Sequence, residues 1–582
     1  MIRAPPTPHR GTLLSVLLTI TVASPAAVGP HGSADPQRDS LEVRQSLEQA
    51  QRDFEHLRRR YLPFTLAGGP SPCPERVGRF CTWPEDPDDD PDEHPPEHER
   101  TVAARQNLIR QLEAAAARLP GDGWITGQLV RYLLEAGHGA AAATAADGCR
   151  ATSWWCNAVR GLVAHTRNDF SRADSVFGLA LAEAPDDVRC GWTDLTVLLD
   201  ADAVRFYRDL DCDARTTANH RVWWLADPLW LTPGNERRTA HYARAAYARI
   251  FEGTEVPHGI PWRDDNTELL LRFGVPERWE QTRARGASGR PSVIGHRSSR
   301  GRSFVPPGRY LDSLPRIGAQ PWPLDGRRES FQPAYARRFS ELAAQIAVFP
   351  RDDHAVIVTA FPIAPHPPAG GTNPARIKTA AFFSVAHDSV LSGWSAAEDS
   401  SVARLVLTTP LRPGILSIEM LGTPDSVAAR LRRWLDPASG GPGLAISGLL
   451  LIRSDSVLPA VLEQAVSTMR GSAAFSPGER VSIFWEVYDP PLREPVRATL
   501  VVEQRDRGFL RRAVEWLGFG GREPPVKLEW TVTWPARTAA APGAITLELP
   551  AGQEGTFLLT LSITTSSGSM AVSQREITVR DG

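Results

Sequence analysis

At 582 residues the chain is several times the usual domain size, and length alone implies about four domains. Apolar residues make up 42% and charged residues 23%, which excludes a wholly disordered chain. The formal charge of −2, from 65 basic and 67 acidic residues, supplies no global field to attract DNA, RNA or an anionic membrane, so no nucleic-acid partner is expected.

The N-terminus places Arg3, His9 and Arg10 before an apolar run from Leu13 to Val28, followed by small residues and proline. That is the layout of a secretory signal peptide, with cleavage after Ala26 or Ala34, and residues 1–34 are assigned to it. Thr19, Thr21 and Pro25 break the run, and no later run approaches the roughly 20 apolar residues of a membrane span. No Cys closely follows it to accept a lipoprotein anchor. Export, to the periplasm or beyond the cell, is therefore expected. Lys378 and Lys527 are the only lysines, so nearly all the positive charge is arginine.

Cys73, Cys81, Cys149, Cys156, Cys190 and Cys212 form an even set in the N-terminal part of an exported chain, the setting for disulfides. Nearest-neighbour closure, Cys73 with Cys81, Cys149 with Cys156 and Cys190 with Cys212, gives the short loops. The spacings do not match structural zinc knuckles, and thiols paired in this way offer no nucleophile.

Residues 35–99 comprise a helix and a linker. Leu41, Leu47, Phe54, Leu57 and Tyr61 mark an amphipathic helix ending near Pro63, and the Pro- and acid-rich run from Glu85 to Glu99 cannot bury enough apolar area to order itself. Residues 100–214 read as packed helices, with Trp124, Leu129, Leu133 and Leu134 on one face. Gly161, Ala173, Phe177, Ala180 and Pro185 resemble the second half of a tetratricopeptide repeat, in which small residues let two helices approach and Phe fills the gap. Arg160 and Asn157 depart from that pattern. Aromatic density from Val188 to Leu231 marks core or groove residues. Asn235 and Glu236 cap a helix from Arg237 to Phe251 that turns Tyr242, Ala245, Ala246 and Ile250 inward and leaves Arg237, Arg238, Arg244 and Arg249 to solvent or acidic partners.

The run from Trp223 to Pro228, continuing through Asn235, Glu236, Arg237, Arg238, Thr239, His241, Tyr242, Ala243 and Arg244, resembles the central region of exported bacterial proteins bearing the domain named for a GWxTD motif. The motif itself corresponds to Pro261, Trp262, Arg263, Asp264 and Asp265, with Pro261 in place of Gly and Asp264 in place of Thr. A separate run, Gly191 to Asp194, lies too early to be the motif. The match covers roughly residues 215 to 280, and residues 215–285 are assigned to this domain. The family has no established activity; similar proteins often carry helical repeats before the domain and β-rich regions after it. Trp223, Trp224, Arg237, Arg238, Trp262 and Asp265 are the candidate binding residues. Leu269, Leu271 and Phe273 alternate with Glu268, Leu270 and Arg272 as in a short strand reversed at Gly274. Asp264, Asp265, Glu268, Glu277 and Glu280 supply carboxylates for conceivable acid/base chemistry or for surface capping.

Residues 286–350 comprise a basic loop, with His296, Arg297, Arg300, Arg302 and Arg309, and an amphipathic helix from Tyr335 to Phe349 with Phe339, Leu342, Ile346 and Phe349 on its packed stripe. Two β-sandwiches follow, at 351–455 and 456–582. The first takes strands at Ala355–Phe361, Ile377–Ala386, Val402–Thr409, Leu416–Leu421 and Leu444–Ile452. The second takes strands at Val481–Val487, Val496–Val502, Val526–Trp534, Ile545–Leu549, Gly555–Ile563 and Met570–Val579, with a short helix over Phe509–Leu517 covering a sheet edge. Gly518, Gly520 and Gly521 lack the residues of a phosphate loop.

The expected fold class is therefore multidomain α+β, with repeat-like N-terminal helical hairpins, a central α+β domain and two C-terminal antiparallel β-sandwiches. No catalytic set, metal-ligand set or cofactor motif emerges. The pattern predicts a non-enzymatic structural or protein-interaction protein of the cell envelope, with an envelope protein or peptide as partner. The alternatives are a hydrolase of a peptide or envelope polymer, built on the acids from Asp264 to Glu280, and a carbohydrate-binding protein with exposed Trp residues along one groove of a β domain.

Overall fold

The computed structural model describes residues 36–66, 73, 75–82, 96–283, 292–298, 300–308, 322–326, 328–363, 376–385, 390, 392–398, 401–423, 427–438, 443–454, 457–505, 526–534, 539–549 and 554–580. The signal segment, most of the acidic run from Glu85, the expected helix at Phe509–Leu517 and the Gly518–Gly521 loop lie outside them. The chain has a multidomain α+β fold: helices dominate the N-terminal half and antiparallel sheets the C-terminal half.

The helical half comprises α1 (Pro36–Arg60), α2 (Glu99–Arg118), α3 (Gly123–Glu135), α4 (Gly139–Asp147), α5 (Ser153–Thr166), α6 (Phe170–Glu183), α7 (Asp186–Thr193), α8 (Ala201–Arg208), α9 (Arg215–Ala226), α10 (Glu236–Phe251) and α11 (Asp264–Phe273). Local chemistry sets several of their starts: Asp122 accepts from the Trp124 and Ile125 amides at the head of α3, and Asn235 accepts from the Arg238 amide at the head of α10. The α5–α6 hairpin closes tightly because Gly161 has no side chain; a Cβ there would stand 2.8 Å from the Phe177 ring. Leu112, Ile125, Val130, Val159, Leu162 and Phe177 share one core with Tyr242, Ala246 and Ile250 of α10, which is buried along almost its whole length.

Short strands sew this half together. β1 (Phe64–Leu66) lies parallel to β4 (Arg278–Arg283), with Phe64 opposite Gln281, and β4 pairs antiparallel with β5 (Ser292–His296). The hairpin of β2 (Glu75–Val77) and β3 (Phe80–Thr82) is bridged by Cys73–Cys81. Gly78 turns it at φ 53°, so close to α11 that a Cβ would meet Asp265 at 2.4 Å. Cys149–Cys156 and Cys190–Cys212 complete the nearest-neighbour pattern, and no cysteine is free.

Two expectations here are corrected. Leu269–Phe273 belongs to α11, not to a strand: Asn266 accepts from the Arg263 amide, Asp264 and Asp265 sit at the positive end of the helix dipole, and the Gly274 amide closes the last turn on Leu270. A three-leucine run satisfies either period, and the cap chemistry decides it. Arg237 and Arg244 of α10 do not face solvent. Arg237 is fully buried against Glu329, at 3.0 Å, and Arg244 donates to the carbonyls of Leu271, Arg272 and Ser330. Arg249 is exposed, as expected.

The Tyr335–Phe349 helix is also absent. β6 (Arg338–Glu341) runs parallel to β13 (Val427–Leu435), and β7 (Gln345–Pro350) pairs antiparallel with β8 (His354–Pro362). Burial alternates along β7, with Gln345, Ala347 and Phe349 inward, so sheet pairing overrides a stripe that also fits helical spacing. The first sandwich sets the sheet β10-β9-β12-β13-β6 against β11-β8-β7, where β9 is Arg376–Ser384, β10 Ser392–Glu398, β11 Val402–Pro410 and β12 Gly414–Thr423. Ile357, Phe361, Phe383, Leu405 and Ile418 fill it.

The Leu444–Ile452 segment splits into β14 (Ala445–Ile446) and β15 (Leu450–Ile452). Both pair with β17 (Arg480–Tyr488), joining the second sandwich rather than the first. β17 also pairs with β20 (Ala540–Glu548). The facing sheet runs β16-β22-β21-β18-β19, with β16 at Ala474–Phe475, β18 Pro495–Gln504, β19 Val526–Thr533, β21 Gly555–Thr564 and β22 Met570–Val579. The alternating residues Val481, Ile483, Trp485 and Val487 meet Leu500, Leu559, Leu561 and Ile563 in an apolar interior. α12 (Leu462–Ser467) fills the junction between the sandwiches with Phe349 and Phe484.

Candidate functional site

The structure places the residues selected from sequence in packing contacts and ion pairs, scattered over the helical half rather than around one site. Trp223 is buried beside His241 and Tyr242, with ring centroids at 5.1 and 6.4 Å. Trp224 stacks on Trp230 at 4.7 Å, and the Arg432 guanidinium lies 4.2 Å from the Trp230 ring. Arg238 pairs with Asp174. Trp262 packs on Phe251 and donates to the Thr267 hydroxyl at 3.1 Å. Asp265 receives the Arg79 amide and guanidinium, which hold its carboxyl at about 2. It pins the disulfide-bridged hairpin to α11.

Around Trp224 the helical half meets the first sandwich through a buried polar seam. Arg432, fully buried, donates to the carbonyls of Leu225 and Asp227 and to Glu419 at 2.9 Å, while Arg430 donates to the carbonyls of Asp227 and Pro228. Burial and the neighbouring Glu236 push the Asp227 carboxyl well above the usual carboxylate range. Burial pushes Glu236 up to about 7 even though the Tyr335 hydroxyl donates to it. Asp227, Glu236, Glu419, Arg430 and Arg432 are all buried, so the seam serves as a joint.

The residues that do converge on open space surround a cavity of about 650 Å³. Its walls are the end of α1 with the following turn (Arg58, Tyr61, Leu62, Pro63), the start of α2 (Glu97, His98, Thr101, Arg105), the end of α3 (Arg131, Glu135), the end of α10 (Tyr247, Phe251), and the β4–β5 sheet with its flanks (Glu277, Arg278, Trp279, Glu280, His296, Arg297, Arg300). The β1–β4 pairing carries the sheet wall to the tip of α1. Tyr61 stacks on His98 at 4.4 Å, and the His98 ring caps α2 by accepting from the Arg100 amide.

The floor is an ion network. Glu55, fully buried behind the cavity, takes Arg131 at 2.5 Å and the Tyr132 hydroxyl at 2.8 Å. Glu135 takes Arg58 and Arg131, both at 2.9 Å, and Arg105 pairs with Glu97. Burial alone would raise the Glu135 carboxyl, but Arg58 and Arg131 outweigh it and hold the group at about 2. On the sheet wall Glu280 takes Arg278 at 2.7 Å and stands 3.3 Å from the His296 ring.

Of the acids considered for catalysis, Glu277 and Glu280 line the cavity; Asp264, Asp265 and Glu268 do not, and Glu268 pairs instead with Arg272. Among the described residues no group of three or more His, Cys, Asp or Glu side chains is placed to hold a metal ion. Trp485, Trp530 and Trp534 border a second groove of about 200 Å³ at the edge of the second sandwich. Trp485 belongs to the interior, and the other lining side chains are aliphatic, so sugar hydroxyls would find few polar partners there.

Sequence reading named His296, Arg297, Arg300 and Glu280 individually but missed Glu55, Arg58, Arg105, Arg131 and Glu135. The available signal was spacing: Glu55–Arg58 at i,i+3 and Arg131–Glu135 at i,i+4 place opposite charges on faces that must also pack.

No protein-family model matches the chain, and no curated protein matches it. A solved structure of red sea bream transglutaminase is similar over 41% of this chain and 31% of its own length, at 10% identity and a TM-score of 0.13. The aligned part thus spans less than a third of that protein, and likeness at this level carries no argument about fold or activity.

Proposed function

We propose that the chain is a non-enzymatic interaction protein of the cell envelope that takes a segment of a partner protein into the cavity between the helical layer and the β4–β5 sheet. The observation that carries this reading is the pairing of the acids on that cavity. Glu97, Glu135 and Glu280 are each engaged by an arginine, and Glu135 is held at about 2, far below the range a general acid needs near neutrality. Around them lie aromatic and proline side chains, Tyr61, Pro63, Tyr247, Phe251, Pro257 and Trp279, which suit an extended peptide. The β-sandwiches act in this reading as spacers.

Three disulfides support folding in an oxidising compartment, periplasmic or extracellular, and no helix among the described residues is long and apolar enough to cross a membrane. Membership of the GWxTD-bearing exported proteins, and a repeat-like role for the helical hairpins, are part of the same proposal. They rest on the residues from Trp223 to Arg244 and from Pro261 to Pro276.

A photo-crosslinking residue in place of Leu62, on the cavity wall, should capture a reproducible envelope protein, whereas the same residue in place of the exposed Leu179 on α6 should not. Equal capture at both positions, or none at Leu62, rules the reading out. The His296–Glu280 pair gives the hydrolase alternative a foothold: a Glu280→Gln variant that abolished turnover of a peptide or envelope polymer would replace the interaction reading with that one.

A further inference from the structure

The charge around the cavity is uneven in a way that selects a ligand. Counting Glu55 behind the wall, the cavity carries one guanidinium more than its carboxylates, and the surplus is Arg300. The Arg300 backbone amide donates to the Ser298 hydroxyl, while its guanidinium makes no hydrogen bond or ion pair among the described residues. Deeper in, Arg58 and Arg105 are only 9% and 8% exposed and carry their charge in the cavity floor, opposite Glu135 and Glu97. The 20-residue helix α2 also opens onto the cavity at its N-terminus through Glu97, His98 and Thr101, adding the positive end of its dipole.

We propose that the cavity is a receptor for carboxylate, presented by an acidic extended peptide; this rests on the interaction reading above and names its ligand class. An ammonium group would meet the surplus guanidinium and the helix terminus with the same sign. A neutral peptide would leave the Arg300 guanidinium without a counter-charge. The carboxylate can come from acidic side chains or from a chain terminus, and both sources share the chemistry.

The test is calorimetric titration of the full mature chain with N-acetylated, C-amidated hexaglutamate, hexaglutamine and hexalysine, and with acetyl-hexaglutamine carrying a free terminal carboxylate. Hexaglutamate should bind saturably, about tenfold or more tighter than amidated hexaglutamine, and weaken as salt is raised. Binding of the free-acid hexaglutamine above its amide would assign the terminal carboxylate a share of the recognition. Arg300→Gln should weaken hexaglutamate binding about tenfold, and Glu97→Gln, which removes the anion paired with Arg105, should tighten it by about threefold. Opposite signs from two wall variants with unchanged melting temperatures separate ligand charge from loss of fold. Hexaglutamine or hexalysine binding as tightly as hexaglutamate, or both variants moving affinity the same way, overturns the inference while leaving the cavity a docking site. Failure of every probe overturns it as well, and the Leu62 crosslink then decides whether the interaction reading survives.

Discussion

The helical layer and the second β-sandwich solve the same packing problem with different materials. In the sandwich, Val481, Ile483, Leu500, Leu559 and Leu561 exclude water with carbon alone. In the helical layer Arg131, Glu55, Gln128 and Gln51 are as deeply buried as the leucines beside them, and they bond to one another or to backbone carbonyls. An apolar interior tolerates small shifts, because dispersion has no direction. A buried ion network does not, because each charge must find its partner. The directional material surrounds the cavity and the forgiving one sits far from it, as expected if the helical layer must hold a receptor in shape while the sandwich only supports it.

Acid should separate the two regions most widely. Burial holds His165 and His241 down to about 3 and His258 to about 4, against an ordinary 6.5. The unfolded chain therefore takes up protons below pH 6.5 that the folded chain refuses, and stability falls as pH drops through that value. By pH 5 each histidine should cost about 2 kcal/mol. Hydrogen exchange at pH 7 and pH 5 should show the loss in the helical layer, with the second sandwich protected; equal loss in both would break the contrast. Arg131→Met should cost about 4 kcal/mol in a urea melt, because it strands the Glu55 carboxylate in a dry site. Leu559→Ala in the sandwich should cost about 3 kcal/mol through its cavity, with peptide binding untouched. Replacing Cys190 and Cys212 together by Ser should cost about 3 kcal/mol, from the freedom returned to a 22-residue separation. A gain confined to alkaline pH should come from Glu236→Gln at the joint with the first sandwich. Since the Glu236 carboxyl sits at about 7 when folded and 4.5 when free, its stability is present at low pH and lost as pH rises towards 7. The amide should therefore add about 3 kcal/mol at pH 8 and nothing at pH 4, read from thermal melts at both.

The two halves were also unequally legible. Strands β17 to β22 follow from alternation, because Val481, Ile483, Trp485 and Val487 face one interior while Phe484 turns to the junction with the first sandwich. The disulfide pairs follow from the spacing of an even set of cysteines in a chain whose sequence reads as exported. Strand β13 escaped because Arg430 and Arg432 occupy interior positions that a hydrophobicity pattern scores as surface, and only their carbonyl partners in the Leu225–Pro228 segment explain them. Arg237 and Arg244 misled for the same reason. The cavity was the least legible feature: its walls come from α1, α2, α3, α10 and β4–β5, and no local window contains more than one of them. Its charged residues announce themselves only as short-range pairs, which exposed helices also carry.

The parallel contact of Phe64–Leu66 with Gln281–Arg283 ties together points more than two hundred positions apart. A chain that folds from its N-terminus can form the Cys149–Cys156 and Cys190–Cys212 crosslinks early, but the cavity lacks its sheet wall until the chain has reached Arg300. On the proposed reading, a nascent molecule could not capture its ligand early, since the mouth comes into being only when the last wall arrives.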